Sequence, residues 1–304
     1  GIQNTLIGGL AGDALTTGLR NVAVGIQALT TDTLGSRNTA IGSFALNNQN
    51  FTTATDSYNV GVGYQAGYAT TTGIHNTIVG GLAGDSLTDA DYNTVVGQGA
   101  LSVDTLGSRS TAIGYEALLV QNFTTATDTY NTAVGYNAGR QVTTGTQNTI
   151  VGGLAGDAIT TGIRNVLAGY IAGSALTDAD YNIAIGNGAL GSDTLGSTST
   201  AVGNDALGTQ NFATATDTYN TAVGYSAGKV ITTGVQNVLI GGLAGDALTD
   251  ADDNTAVGVG ALTTDTLGSK STAIGRSALQ TQNFTTATDS NNTAVGYNAG
   301  AAVT

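Results

Sequence analysis

The chain has no cysteine, proline, methionine or tryptophan, one histidine, and eight lysine and arginine residues among 304. Each shortage closes off a class of chemistry. Without cysteine there is no disulfide framework, no thiol nucleophile and no thiolate metal site. The eight cations are scattered along a chain of net charge −13, so nothing clusters to neutralise the phosphates of a nucleic acid. No stretch approaches the ~20 apolar residues of a membrane-spanning helix. His75 is the single imidazole, and no catalytic triad can be assembled around it. Only 10% of residues are charged, yet 40% are hydrophobic and 46 are glycine. Such a composition often means disorder, but disorder does not hold apolar residues in strict register.

Here the register is strict. Units begin at residues 5, 22, 39, 60, 77, 94, 111, 132, 149, 166, 183, 200, 221, 238, 255, 272 and 293, always 17 or 21 residues apart. The fourth residue of every unit is glycine (Gly8, Gly25, Gly42 onward) and the seventh is alanine (Ala11, Ala28, Ala45 onward). The third is Val or Ile everywhere except Ala168, and the last is usually asparagine (Asn21, Asn38, Asn59), with Ser110, Ser199 and Ser271 the departures. A unit this short cannot close a core alone, but one coil of a solenoid needs only its neighbours. The columns therefore predict an all-β parallel β-solenoid, or β-roll, of about 17 coils. Helical repeats have longer periods and do not carry glycine at every turn.

The β-branched third position is expected to form an inward ladder. The glycine marks a turn or a close backbone approach, and the alanine a narrow interior. The asparagine is expected in a left-handed turn, hydrogen-bonded to its copies above and below. Threonine fills the first position in most coils. Lying two residues before the Val/Ile column, it is expected on that same face, turned inward or into a subunit contact.

A longer period overlies the first. The 21-residue coils start at 39, 111, 200 and 272, and carry Phe51, Phe123, Phe212 and Phe284 in variants of QNFTTATDxYN. The four extra residues read as a bulge anchored by the phenylalanine. Superrepeats run over 5–76, 77–148, 149–237 (with one extra coil, 166–182) and 238–304, within one continuous solenoid. The closing NTAVGYNAGAAVT and the opening GIQN read as two parts of one coil, which implies one period of a longer array or a subunit that stacks head to tail.

The segments NTAIGSFAL, NTAVGYNAG and STAIGRSAL resemble the head repeats of YadA-like trimeric autotransporter adhesins. They are also similar to the NTAxGYxAL repeats of bacterial and phage tail-fibre proteins. The resemblance covers essentially the whole chain. It implies a left-handed parallel β-roll, a homotrimer, exposure at a cell or virion surface, and a role in attachment. Coils of 17 residues exceed the usual adhesin repeat, and neither a stalk coiled coil nor a membrane anchor follows here.

No enzyme is expected. Solenoid hydrolases and lyases need paired carboxylates or an acidic and basic cluster on one face, whereas most acids here recur with the repeat: Asp13, Asp85, Asp157 and Asp246 in one column, Asp32, Asp104, Asp193 and Asp265 in another. The exceptions, Glu116 and Asp205, read as isolated. GGLAGDALT resembles a calcium-binding nonapeptide repeat with its third glycine displaced by one. Asp89 with Asp91, Asp178 with Asp180, and Asp250 with Asp252 are the candidate calcium ligands, set against the simpler reading of solvated turns; no other cofactor is expected. Asn50, Asn122, Asn283 and Asn291 begin glycosylation sequons. Tyr64, Tyr136, Tyr225 and Tyr297 form a column suited to contacting another subunit or a glycan. The functional expectation is a non-catalytic extracellular or surface fibre shaft, assembling with itself head to tail or as a homotrimer. An adhesin head that binds a host, matrix or glycan ligand is the first alternative, and an ice-binding threonine array the second.

Overall fold

The structure, a computed structural model, describes residues 1–303. It is all-β: among the described residues there is no helix, and hence none long and apolar enough to cross a membrane. The chain forms two compact units, Gly1–Asn148 and Thr149–Thr304, divided where the second superrepeat meets the third.

Each unit is a parallel β-solenoid. The first winds eight coils, contributing strands Thr5–Ile7, Val22–Val24, Thr39–Ile41, Val60–Val62, Thr77–Val79, Thr94–Val96, Thr111–Ile113 and Thr132–Val134. Each pairs in parallel with the next, position for position: Thr5 with Val22, Val22 with Thr39, Thr39 with Val60. The second unit winds nine coils in the same way, from Thr149–Val151 to Thr293–Val295.

Within each strand it is the middle residue that faces in. Ala23, Ala40, Ile78, Val95 and Ala112 are fully buried, while the residues on either side of them are partly or wholly exposed. This overturns the expected inward Val/Ile ladder. Val24, Val62, Val79 and Val96 are only half-buried, Ile41 and Ile274 are exposed, and the threonines of the first position share their outer face. The physical reason is interior width. The seventh position is a buried alanine in every coil from 22 to 93, Ala28, Ala45, Ala66 and Ala83, so the interior is narrow there and holds few large side chains per coil.

How that space is filled sets the longer period. In coil 22–38, Ala23, Leu29 and Asp32 point inward; in coil 39–59, Ala40, Leu46 and Gln49; in coil 60–76, Gly61, Gly67 and Thr70; in coil 77–93, Ile78, Gly84 and Leu87. Coil 60–76 has no large inward residue, and Leu46 and Ile78 of the coils on either side fill the gap it leaves. A Cβ on Gly67 would stand 2.9 Å from both Leu46 and Ile78. The eighth position has a left-handed φ whether it is Gly67 (+61°) or Leu46 (+47°). The leucine accepts a strained backbone, of order 1 kcal/mol, because burying its side chain returns more.

The turn glycines do require glycine. Gly63 sits at φ +135°, and a Cβ there would lie 2.5 Å from the carbonyl oxygen of Gly80. Backbones of successive coils meet at that corner. The same close approach recurs at Gly8, Gly25 and Gly42.

The asparagine column, with serine at Ser110, Ser199 and Ser271, is buried, and one correction applies. The left-handed residue is the one before it, such as Arg20, Arg37, Tyr58 and His75, not the asparagine itself. The asparagine bridges coils through its own amide. Asn21 Oδ1 accepts the Asn38 N–H at 2.9 Å, and Asn21 Nδ2 donates to the Gly35 carbonyl at 2.9 Å. Asn59 repeats both bonds with Asn76 N–H and the Gly73 carbonyl.

In each 21-residue coil the added residues form a second short strand. Thr55–Asp56 pairs in parallel with Gly35–Ser36, and Thr127–Asp128 with Gly107–Ser108. Phe51, Phe123 and Phe212 are buried beneath these bulges. A polar relay lies behind each one. Asp104 Oδ1 accepts the N–H groups of Gly107 and Phe123, Oδ2 accepts Gln121 Nε2 at 2.6 Å, and Gln121 Oε1 accepts Asn131 Nδ2 at 2.8 Å. Asp32, Asp193 and Asp265 anchor the same arrangement. All four aspartates are fully buried, so this column belongs to the scaffold.

Candidate interaction surfaces

With the interior assigned, three surface features remain. The first is the outer face of the strands. Its two columns, the first and third strand positions, hold only Thr, Val, Ile and one Ala across all coils, without a single charge. Ile41, Val151, Ile185, Ile240 and Ile274 are each about 40% exposed. In-register parallel pairing makes this face regular within each unit.

The second feature is a stack of side chains on the left-handed residues before the asparagines. In the first unit, Arg37 lies 5.3 Å from the Tyr58 ring centre, and Tyr58, His75 and Tyr92 stack at 5.4 and 5.1 Å. Arg109 lies over Tyr92 and Tyr130. Arg37 and Arg109 also pair with Asp56 and Asp128 of the bulges, each at 3.0 Å. His75 is thus one ring in an exposed aromatic and cationic ladder. Because the rings cover one another's faces, the ladder is a brace between coils.

The third is the column that follows the turn glycine. Tyr64, Tyr136, Tyr225 and Tyr297 all lie more than half exposed in it. Tyr115 and Tyr136 stack there at 5.5 Å and 11°.

Glu116 and Asp205 are not isolated, which corrects the expectation above. Glu116 Oε2 accepts Arg140 Nε at 2.7 Å, and Asp205 Oδ2 meets Lys229 Nζ at 3.1 Å. Both pairs bridge a long coil to the coil after it, and Phe44 with Tyr68 occupies the same place in the first superrepeat. The Arg140 hydrogen bond, helped by one from Tyr115, holds the Glu116 carboxyl below the usual carboxylate range. A shallow 220 Å³ pocket beside the Asp205–Lys229 pair is the notch left by Gly188 and Gly191.

The candidate calcium ligands are already used between coils. Asp91 Oδ1 accepts the Ile74 N–H at 2.8 Å and Asp89 Oδ1 the Thr72 hydroxyl at 2.7 Å. Asp180 and Asp252 accept Ile163 and Val235 N–H in the same way, and Asp178 and Asp250 accept Thr161 and Thr233. Burial raises the Asp91 carboxyl, against the Ile74 hydrogen bond that lowers it, and the charge of Asp89 adds to the rise. Among the described residues no group of three or more His, Cys, Asp or Glu side chains is placed to hold a metal ion. Of the sequons, Asn50, Asn122 and Asn283 each accept a threonine hydroxyl from the preceding coil through Oδ1. Asn291 Nδ2 is engaged with the Asp289 carbonyl at 2.9 Å.

Fold and surfaces together define a β-solenoid repeat protein. In comparison with known proteins, the chain matches no protein-family model and no curated protein sequence.

Proposed function

We propose that this chain is a non-catalytic structural segment, a fibre shaft at a cell or virion surface, and that copies of it pack together through the outer Thr/Val/Ile face, as a homotrimer in the manner of the adhesin repeats it resembles. The observation that carries the reading is the composition of that face: two columns without one charged side chain, on a chain with 21 acidic residues elsewhere to place there. An exposed face without charge supports association with another surface. Head-to-tail stacking of coils adds length along the same axis.

Sedimentation equilibrium of the protein and of Val79→Glu tests it. Val79 is outward and half-buried, so the variant keeps its fold. The expected result is an oligomer, three chains for the homotrimer, that Val79→Glu breaks into folded monomers. A wild-type monomer at all concentrations refutes the reading.

One observation favours a second function, ice binding. The threonine column faces outward, where an ice lattice would meet it, instead of inward. Thermal hysteresis of the wild type that is lost in Thr77→Lys would support that function, and none at millimolar protein would remove it.

A further inference from the structure

Four glycines follow the turn glycine without any backbone reason to be glycine: Gly9, Gly81, Gly153 and Gly242. None takes a left-handed φ. Other coils carry Tyr64, Gln98, Tyr115, Val259 and Arg276 at the same position. A Cβ on Gly81 would meet nothing within 4 Å, and one on Gly242 only the Tyr225 backbone oxygen at 4.0 Å. The contrast with Gly63, whose Cβ would strike backbone, is complete.

The neighbours give the opening a shape. Leu82 N–H donates to the Tyr64 carbonyl at 2.9 Å, and Gly99 N–H to the Gly81 carbonyl at 3.1 Å, so Tyr64, Gly81 and Gln98 succeed one another along the column. In the second unit Leu243 N–H donates to Tyr225 and Gly260 N–H to Gly242, which places Tyr225, Gly242 and Val259 likewise. Tyr115 and Tyr136 show that one coil step in this column takes one ring stacked on another. At Gly81 and Gly242 the tyrosine is present and the second ring is missing. What remains is an open gap one coil step from the exposed Tyr64, whose ring meets Phe44 edge to face at 6.4 Å, and from the exposed Tyr225, with Leu82 or Leu243 next in the chain.

We propose that these two slots bind an uncharged saccharide, its C–H face laid on Tyr64 or Tyr225 and its ring occupying the space over Gly81 or Gly242. Aromatic rings with one free face suit the apolar face of a sugar, and the phenol leaves a polar edge at the water. The chemistry of the lining selects a neutral sugar. Tyr64, Leu82 and Gln98 carry no charge, nor do Tyr225, Leu243 and Val259, and a chain of net charge −13 repels sialylated or sulfated glycans. In the first unit the aromatic ladder on the other column offers no such site, because Tyr58, His75 and Tyr92 already cover one another's faces. This binding role goes beyond the shaft reading and stands or falls separately from it.

A printed array of neutral hexose and N-acetylhexosamine oligosaccharides, with acidic glycans alongside, tests the intact chain, and calorimetry with the retained neutral oligosaccharide quantifies it. Tyr64→Ala with Tyr225→Ala removes the platforms. Gly81→Gln with Gly242→Gln fills the slots at positions where a side chain meets no obstacle. Both double variants are expected to bind at least about tenfold more weakly, with unchanged circular dichroism and sedimentation. Retention of acidic glycans only, or of none, overturns the proposal, as does undiminished affinity in either variant. A changed sedimentation state in the tyrosine variant would also overturn it, by assigning the slots to contact between copies of the chain.

Discussion

The buried amide of Asn38 shows how tightly single residues are held to account in this fold. The last residue of a coil normally donates from Nδ2 to a carbonyl in the next coil, as Asn21 does to Gly35. Where the next coil is a long one, that carbonyl is displaced by the bulge. In three such places the chain carries serine: Ser110 and Ser199 hydrogen-bond Thr129 and Thr218 at 2.6 Å, and Ser271 bonds Ser290. Asn38 occupies the fourth, and its Nδ2 is buried without a partner. An unpaired buried donor costs about 1–3 kcal/mol. Asn38→Ser is therefore expected to raise stability by about 1 kcal/mol, with Ser57 in the role of Ser290. Urea unfolding of the two proteins measures it, and a loss of stability would show that the Asn38 Oδ1 bonds to Ser57 and Asn59 outweigh the orphaned donor. The three serines were visible in the sequence as departures from asparagine. Their reason was not, because it lies in a carbonyl that only the folded bulge displaces.

At the scale of the coil, the period was legible and the phase was not. Glycine, alanine and asparagine columns repeat because each coil meets the next through the same backbone contacts, so stacking leaves its mark at fixed spacing. Alternation says that Thr77 and Val79 share a face and Ile78 takes the other, but not which face is inside. Side-chain size pointed the wrong way, since Val and Ile suggest a core more readily than Ala23 or Ala40. The better clue was compensation: Ile78 accompanies Gly84 and Leu87, whereas Ala40 accompanies Leu46 and Gln49. Only residues competing for one volume trade size in that way.

Pairs between coils were hidden for a related reason. Glu116 and Arg140 lie 24 residues apart, a separation that appears only once a 21-residue coil is counted between them. Their bridge carries a pH signature. The Glu116 carboxyl is depressed from 4.5 chiefly by Arg140, so its contribution is present above the ordinary carboxylate range and is lost as pH falls through the lowered value. Being partly exposed, it is worth about 0.5 kcal/mol. Glu116→Gln should lower the urea midpoint slightly at pH 7, and the difference from wild type should vanish as the pH falls through the lowered value. A difference that persists in acid would mean that packing, not charge, holds the two coils there.

For the whole molecule the governing balance is between an uncharged strand face and an acidic remainder. Eight cations against 21 acids leave copies of the chain repelling one another at long range. Five of the cations are already paired with acids of their own chain: Arg37, Arg109, Arg140, Lys229 and Lys270. Few remain to form ion pairs between copies. If copies meet through Thr, Val and Ile columns, salt screens the repulsion and has no attractive charge pairs to weaken. The Debye length falls from about 30 Å at 0.01 M to about 8 Å at 0.15 M, so the association constant from sedimentation equilibrium should rise across that range. An interface built on complementary charge would respond in the opposite sense, weakening as salt is added. The direction of the salt effect therefore reports which surface the copies use. A fall with salt would move the contact away from the strand face and onto the charged flanks, where Arg164, Arg276 and the exposed aspartates lie.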